Sequence, residues 1–118
     1  MTANLHFTSG PAYAVAEITA LAFMESAEPL LQEISSRTRQ FGTRRLLINL
    51  LDVVGTMERT DHQVLGKLAV THLAHMEKVA SLVPEDKITR VSQETALGLG
   101  MQLRVFTSVA DAIEWLVA

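Results

Sequence analysis

The sequence predicts a single α/β domain in which helices cover a mixed β-sheet. The spacing of apolar residues switches repeatedly between a period of two and a period of 3.6, which gives the element order ββαβαβαβα across residues 1–118. Alternating strands and helices favour right-handed crossovers and parallel pairing for the later strands. The first two strands form a hairpin, and this hairpin makes the sheet mixed.

The N-terminal hairpin is predicted from strands at residues 5–7 and 12–23, joined by a turn at residues 9–11 with the sequence Ser-Gly-Pro. One face of the second strand carries small side chains that invite a helix to pack closely: Ala14, Ala16, Ile18 and Ala20. The first helix is expected to begin at the capping residue Ser26, to hold Pro29 in its first turn and to stop at Gly42.

The segment RRLLINLLDV, residues 44–53, is apolar on both faces and predicts a central strand covered on each side. The second helix is expected to begin at Thr60, with a capping box to Gln63. Its predicted apolar stripe consists of Val64, Leu65, Leu68, Ala69 and Met76.

The last third of the chain predicts two strands and two helices. The strands lie at residues 78–84 and 102–106. The third helix is expected from the cap Asp86 to Gly100, with Ile88, Val91 and Leu99 lining it, and Ser108 caps the C-terminal helix with Asp111 three residues on.

Three turns are predicted to share one edge of the sheet, because the carboxyl ends of parallel strands meet there. These turns span residues 52–60, 84–86 and 106–108, and we call this edge the rim. The positive ends of the following helices point towards it. The candidate ligand-binding or partner-binding residues of the rim are Asp52, Gly55, Thr56, Glu58, Arg59, Thr107 and Ser108.

Two side-chain groups raise the question of chemistry. The rim carboxylates Asp52, Glu58 and Asp61 can do acid–base work if one is desolvated and another is not, or they can form a solvated turn before a capped helix. Three histidines, His62, His72 and His75, occur on the second helix. Taking Leu68 as the centre of the apolar stripe, His72 and His75 fall inside the stripe and His62 points about 120° away from Leu68. The three histidines therefore do not converge on a metal. We expect no metal, no cofactor and no catalytic residue.

Composition excludes several classes of protein. The 118 residues include no cysteine, which removes disulfides and thiolate chemistry. A net charge of −3 gives no general attraction to nucleic acid, and no apolar run reaches the length of a membrane-spanning helix. The N-terminus has no signal-peptide pattern, so we predict a cytoplasmic protein.

The central segment RRLLINLLDVVG and the ending LRVFTSVADAIEWL resemble the STAS-like domains related to the anti-sigma-factor antagonist SpoIIAA. The resemblance covers nearly the whole chain, and this fold is also similar to the CRAL-TRIO lipid-binding domain. In the antagonists, a phosphorylatable serine follows the central strand in an Asp-Ser-Ser-Gly-like turn. Here valines stand between Asp52 and Gly55, so only Thr56 or Thr60 could accept a phosphate nearby, and Thr56 is the candidate acceptor.

The resemblance implies a non-catalytic binding or regulatory module that acts through the rim. The CRAL-TRIO likeness implies an alternative, a carrier of a small apolar ligand or lipid in a cleft beneath the later helices. An enzyme that uses the rim carboxylates is a weaker alternative. Homodimerisation is also expected, because the N-terminal strand leaves a sheet edge to cover.

Overall fold

A five-stranded mixed sheet forms the centre of the molecule in the computed structural model, which describes residues 3–21, 23–55 and 57–118. The strand order is β1-β2-β3-β4-β5, with an antiparallel β1–β2 pair and parallel pairing from β2 to β5. This confirms the predicted α/β class and the mixed sheet. The strands are β1 (Ala3–Ser9), β2 (Ala14–Ala20), β3 (Arg45–Val53), β4 (Lys78–Leu82) and β5 (Leu103–Phe106).

Helices cover both faces of the sheet. Three of them, α1 (Phe23–Phe41), α2 (Arg59–Leu73) and α3 (Val91–Gly98), bury their apolar sides on one face, and α4 (Val109–Val117) lies on the other. A short 3₁₀ turn, Glu85–Lys87, precedes α3. Within the described residues, none of the helices combines the length and the apolar character needed to cross a membrane.

The larger core lies between the sheet and the first three helices. The predicted alanine face of β2 is buried there, and Ala14 and Ala16 are fully inaccessible to solvent. Small side chains let α1 approach the sheet, and its own buried residues recur every three or four positions. They are Phe23, Ala27, Leu30, Leu31, Ile34 and Thr38.

The smaller core lies under α4. Leu47 of β3 and Leu82 of β4 pack against Ala112 and Leu116. The C-terminal carbonyls of α4 have partners from the sheet, because Arg45 donates to the carbonyl of Leu116 at 2.7 Å and Lys78 donates to that of Trp115 at 2.8 Å. Two cations at these carbonyls complement the negative end of the helix dipole.

The predicted boundary between β2 and α1 is wrong. β2 ends at Ala20, and α1 begins at Phe23 instead of after Ser26. Phe23 and Ala27 are buried and continue the apolar stripe of α1 by one turn towards the N-terminus. The helix therefore begins earlier than predicted, because this turn packs against the core. Pro29 consequently lies inside the helix and not in its first turn.

The predicted start of α2 is also wrong. Glu58, in extended conformation, is the N-cap, and the backbone N–H of Glu58 donates to the carboxylate of Asp61 at 3.0 Å. The capping box therefore uses Glu58 and Asp61 and not Thr60 and Gln63. An acidic side chain at the third helical position satisfies an N–H that the helix itself leaves free.

The predicted third helix is split. Asp86 belongs to the 3₁₀ turn, Ile88 is extended, and α3 begins only at Val91, where the Thr89 hydroxyl accepts from the backbone N–H of Val91 at 3.2 Å. Ile88 and Leu99 therefore do not line the helix core, being 40% and 56% exposed. The predicted cap of α4 is confirmed, since Ser108 accepts from the backbone N–H of Asp111.

Candidate functional site

A bulge in β3 shapes the rim beside Asp52. Glu17 pairs with Asn49 whereas Thr19 pairs with Asp52, so β3 contains one residue more than β2 in this interval. The Asn49 side chain accepts a hydrogen bond from the backbone N–H of Leu51 at 2.9 Å and supports the irregular segment. Bulges increase local twist and re-aim the side chains that follow. Asp52 is exposed to solvent at the end of this segment.

The turn after β3 depends on Gly55. Its φ angle of +101° lies in the region that side-chain-bearing residues rarely adopt. Val54, just before it, donates its backbone N–H to the carbonyl of Ala20 at 2.8 Å, which ties the end of β3 to the end of β2. Thr56, the predicted phosphate acceptor, lies outside the described residues.

The predicted rim residues divide into two groups. Gly55 and Arg59 line one cavity beside the β4–α3 connection, and the exposed Asp52 and Glu58 flank the same turn. Thr107 lines a separate groove with Trp115 and Asp111. Because β4 lies between β3 and β5, the strands that lead into the two groups are roughly 10 Å apart. The structure therefore does not bring Thr107 and Ser108 together with the other predicted residues.

Exposed apolar side chains lie at the carboxyl ends of β2 and β3. Leu21 is 56% exposed and Val54 is 59% exposed. Both line one shallow cavity of about 470 Å³ together with the partly buried Met24 and Met57. We call these four residues the rim patch. Glu25 and Asp61 line the same cavity, so acidic groups border an apolar surface.

A cleft opens on the other side of the same turn. Its inner chamber of about 70 Å³ lies between the sheet and the helices, and its outer part of about 390 Å³ reaches the 3₁₀ turn. We call the two together the α2 cleft. Leu50, His62 and Val83 line both parts, and Lys87 lies at the mouth, where its ammonium group is 3.4 Å from the carbonyl of Val53. The remaining inner lining is mainly apolar.

His62 is the cleft residue that the sequence interpretation missed. The apolar stripe of α2 is centred on Ala69, which is buried, and not on Leu68. His62 lies seven residues before Ala69, so the two side chains differ by only about 20° in direction around the helix axis. Val64, placed in the stripe by the prediction, is 43% exposed. The spacing of His62, Leu65 and Ala69 is the signal that could have located the cleft. Burial lowers the pKa of His62, against the raising effect of the Asp61 charge.

The other two helix histidines join secondary-structure elements. His72 Nε2 is 3.1 Å from Glu28 Oε2 and links α2 to α1. His75 follows the end of α2 and contacts Thr38 in α1. Among residues 3–21, 23–55 and 57–118, His, Asp and Glu side chains form no group of three that could hold a metal ion.

The fold and the rim define a small α/β module with candidate binding features at the carboxyl ends of its central strands. Residues 13–117 match the family model described as SpoIIAA-like. The chain therefore belongs to the SpoIIAA-like family, as the sequence resemblance implied. A search of curated proteins gives no match.

Two solved structures share this fold. An anti-sigma factor antagonist from Mycobacterium paratuberculosis superposes with a TM-score of 0.66 at 15% identity, covering 98% of this chain and 94% of that chain. A DUF3478-family protein with a SpoIIAA-like fold, from Shewanella loihica PV-4, gives a TM-score of 0.54 at 16% identity, with the same 98% and 94% coverage. At these identities the likeness establishes the fold.

Proposed function

We propose that this chain is a non-catalytic regulatory module that binds a protein partner through the rim patch and the acidic residues around it. Membership of the SpoIIAA-like family and the fold shared with an anti-sigma factor antagonist support this class of function. The observation that carries the proposal is the exposure of Leu21 and Val54, at 56% and 59%, on adjacent strand ends. Contiguous exposed apolar residues with a polar border are typical of protein interaction sites.

The composition of the patch indicates what kind of partner fits. Two methionines offer flexible side chains that adapt to different apolar surfaces. Glu25 and Asp61 border the patch, and Asp52 and Glu58 lie exposed on the same turn, with Arg59 the cation of this turn. Opposite charges across an interface guide association. The partner surface is therefore apolar at its centre and basic around it.

The hydrogen bonding of Asp61 supports a non-catalytic role for this rim carboxylate. Its carboxylate accepts from the backbone N–H of Glu58 and completes the capping box of α2. Capping accounts for the placement of this acid without a reaction. The enzyme alternative would require a second rim carboxylate to act with a substrate, and Asn substitution of Asp52 would then abolish turnover.

Site-specific photo-crosslinking tests the proposed surface. A photoreactive amino acid is placed at Val54, and at Val109 as the control, because both valines are well exposed but Val109 lies at the start of α4. We expect one defined protein to crosslink from Val54 in a lysate of the native organism and then to bind the purified chain directly. Equal crosslinking from both positions, or a captured protein that fails to bind when purified, contradicts the proposal.

A second candidate function is transport of a small apolar ligand in the α2 cleft. The outer part, at about 390 Å³, is within the range of roughly 300 to 1,000 Å³ typical of ligand sites. Ser81, Ser92 and His62 line the apolar inner chamber, and no hydrogen bond joins their side chains to any other described residue. Polar groups without partners in an apolar pocket can orient a ligand.

Native mass spectrometry after gentle purification tests the carrier function, and bound apolar material is expected. Ala69→Leu enlarges a buried residue of the inner chamber, whereas Ala74→Leu makes the same change on an exposed residue at the end of α2. Ala69→Leu is expected to reduce binding of the apolar dye anilinonaphthalene sulfonate, and Ala74→Leu to leave it unchanged. Bare protein together with equal dye binding by both variants contradicts the carrier function.

Phosphorylation of Thr56 and a cytoplasmic location stay predictions from the sequence. A phosphate at Thr56 would add negative charge between Gly55 and Met57 in the sequence, and these two neighbours line the cavity of the rim patch. Added charge on this already acidic surface would weaken an apolar contact and strengthen a contact to basic groups. Phosphopeptide mapping of protein isolated from the native organism tests for the modification.

A further inference from the structure

The two edges of the sheet differ in whether side chains cover their outward backbone groups. On the β5 edge, the outward backbone groups of Val105 are covered by α3: the Gln93 side chain accepts from the N–H of Val105 at 2.9 Å, and Arg90 donates to its carbonyl. Arg90 also donates to Gln93 at 3.2 Å, which fixes the pair. This edge therefore has no free pairing site at its central residue.

The β1 edge lacks such protection in the part of the chain that the structure describes. β1 pairs without a bulge from Ala3 opposite Ala20 to Ser9 opposite Ala14, and no side chain hydrogen-bonds its backbone. The strand ANLHFTS contains no proline, lysine or carboxylate, the residues that usually block edge pairing. The backbone groups that alternate residues of this seven-residue strand direct away from β2 are therefore available to another strand.

Leu5, Phe7 and Phe41 form an apolar surface on one face of the sheet beside this edge, and we call this surface the ledge. Leu5 and Phe7 are partly buried against the core, and the ring of Phe7 stacks on that of Phe41 with 6.1 Å between ring centroids. Phe41, at the end of α1, is 55% exposed. A strand added beside β1 would continue this ledge and cover apolar surface.

We propose that the β1 edge binds a second copy of this chain, with the two β1 strands antiparallel about a two-fold axis at His6. The strand is self-complementary in this register: Leu5 meets Phe7 of the other copy, Asn4 meets Thr8, and Ala3 meets Ser9. Leu5 and Phe7 therefore meet on the ledge face, with the pair of Ala3 and Ser9 at its ends, and polar residues meet on the face with His6 and Glu17. The pairing joins two five-stranded sheets into a continuous sheet of ten strands.

The self-complementary pattern selects a second copy over an unrelated strand. A foreign strand could bond to the backbone of β1, but it would also have to supply apolar residues opposite both Leu5 and Phe7. The proposed dimer uses the β1 edge and leaves the rim patch free, so this inference goes beyond the proposed partner binding and is tested without a partner.

Disulfide trapping tests both the pairing and its register, because the chain has no cysteine of its own. In the proposed register, His6→Cys places two thiols on directly opposite residues, with Cα atoms about 4.5 to 5.5 Å apart. Asn4→Cys alone places them roughly 13 Å apart, out of reach of a disulfide. A mixture of Asn4→Cys and Thr8→Cys brings them opposite each other again.

We expect His6→Cys to form a covalent dimer under mild oxidation, Asn4→Cys alone to stay monomeric, and the mixture of Asn4→Cys and Thr8→Cys to crosslink. Sedimentation equilibrium of the unmodified chain is expected to give twice the chain mass, and His6→Lys to give the monomer mass because two lysines would face each other. Thr19→Lys, on the exposed face of β2, is the control that keeps the dimer. A concentration-independent monomer, or equal crosslinking of all single variants, overturns the proposal.

Discussion

The Nε2 atom of His75 lies 2.8 Å from the hydroxyl oxygen of Thr38, and this contact joins the end of α2 to α1. Thr38 is fully buried and its hydroxyl donates to the carbonyl of Ser35 at 3.0 Å, so the hydroxyl oxygen accepts a hydrogen bond from the Nε2–H group of His75. The other ring nitrogen, Nδ1, is buried without a partner among the described residues. A second proton there would have no acceptor, which favours the neutral ring.

The stability of the fold is expected to depend on the titration of His75. Burial lowers its pKa, and the charges of Arg39 and Arg44 lower it further. In the unfolded chain the pKa is about 6.5, so the unfolded state binds the proton first as the pH falls. The stability associated with neutral His75 is therefore fully present above about pH 6.5 and is lost progressively below it.

Urea unfolding at about pH 7.5 and about pH 5.5 measures this contribution. His75→Gln keeps a donor for Thr38 but does not titrate, so the unfolding free energy of this variant should fall less between the two pH values. His62→Gln should also reduce the fall, because burial lowers the pKa of His62 as well. An identical pH dependence for His75→Gln and the unmodified chain would refute the role assigned to this histidine.

Gly66 is expected to set the close approach of α2 and α3. A Cβ atom at Gly66 would lie 2.8 Å from the backbone oxygen of Ser92 and 2.9 Å from the Cβ of Thr95, and neither atom can swing aside. Overpacking costs about 1 to 3 kcal/mol, and the gain in helix propensity offsets about 1 kcal/mol of this cost. Gly66→Ala should therefore lower the unfolding free energy by up to about 2 kcal/mol.

Gly98→Ala is the matched control for this prediction. It lies at the end of α3, and a Cβ there would meet no heavy atom within 4 Å. The same substitution is therefore expected to stabilise the fold by about 0.4 to 1 kcal/mol in urea unfolding. If both variants shifted in the same direction by similar amounts, the helix contact would not be the cause.

The protection of the β5 edge by α3 gives a third prediction. Gln93→Ala leaves the N–H of Val105 without its acceptor. The unfolding free energy should fall by about 1 kcal/mol, because water can reach part of this site. Gln40→Ala, at an exposed position of α1, should change the unfolding free energy by less than about 0.5 kcal/mol. Equal effects of the two substitutions would show that the Gln93 contact does not stabilise the edge.

The sequence predicted the order of elements and the mixed sheet because buried strands and helical stripes differ in period. It also located the turn after β3, since an apolar run followed by Asp52 and Gly55 marks a strand end. Element boundaries were less accurate. Phe23 reads equally well as the end of a strand, and only its burial against the core shows that it belongs to α1.

The candidate site was predicted in part. Asp52, Gly55, Glu58 and Arg59 do lie around one turn, but Thr107 and Ser108 are separated from them by β4. Single-sequence patterns do not give the order of parallel strands, so this separation could not be read from them. His62 was missed because the choice of Leu68 as stripe centre rotated the helix by one residue.

Isothermal titration calorimetry with the partner identified by crosslinking tests the central claim, partner binding at the rim patch, most directly. Val54→Asp places a charge in the patch, and Val109→Asp makes the same change at 50% exposed Val109 on α4. We predict that Val54→Asp weakens binding at least about tenfold, equivalent to about 1.4 kcal/mol, while Val109→Asp binds like the unmodified chain. Unchanged affinity for a correctly folded Val54→Asp variant would contradict the account.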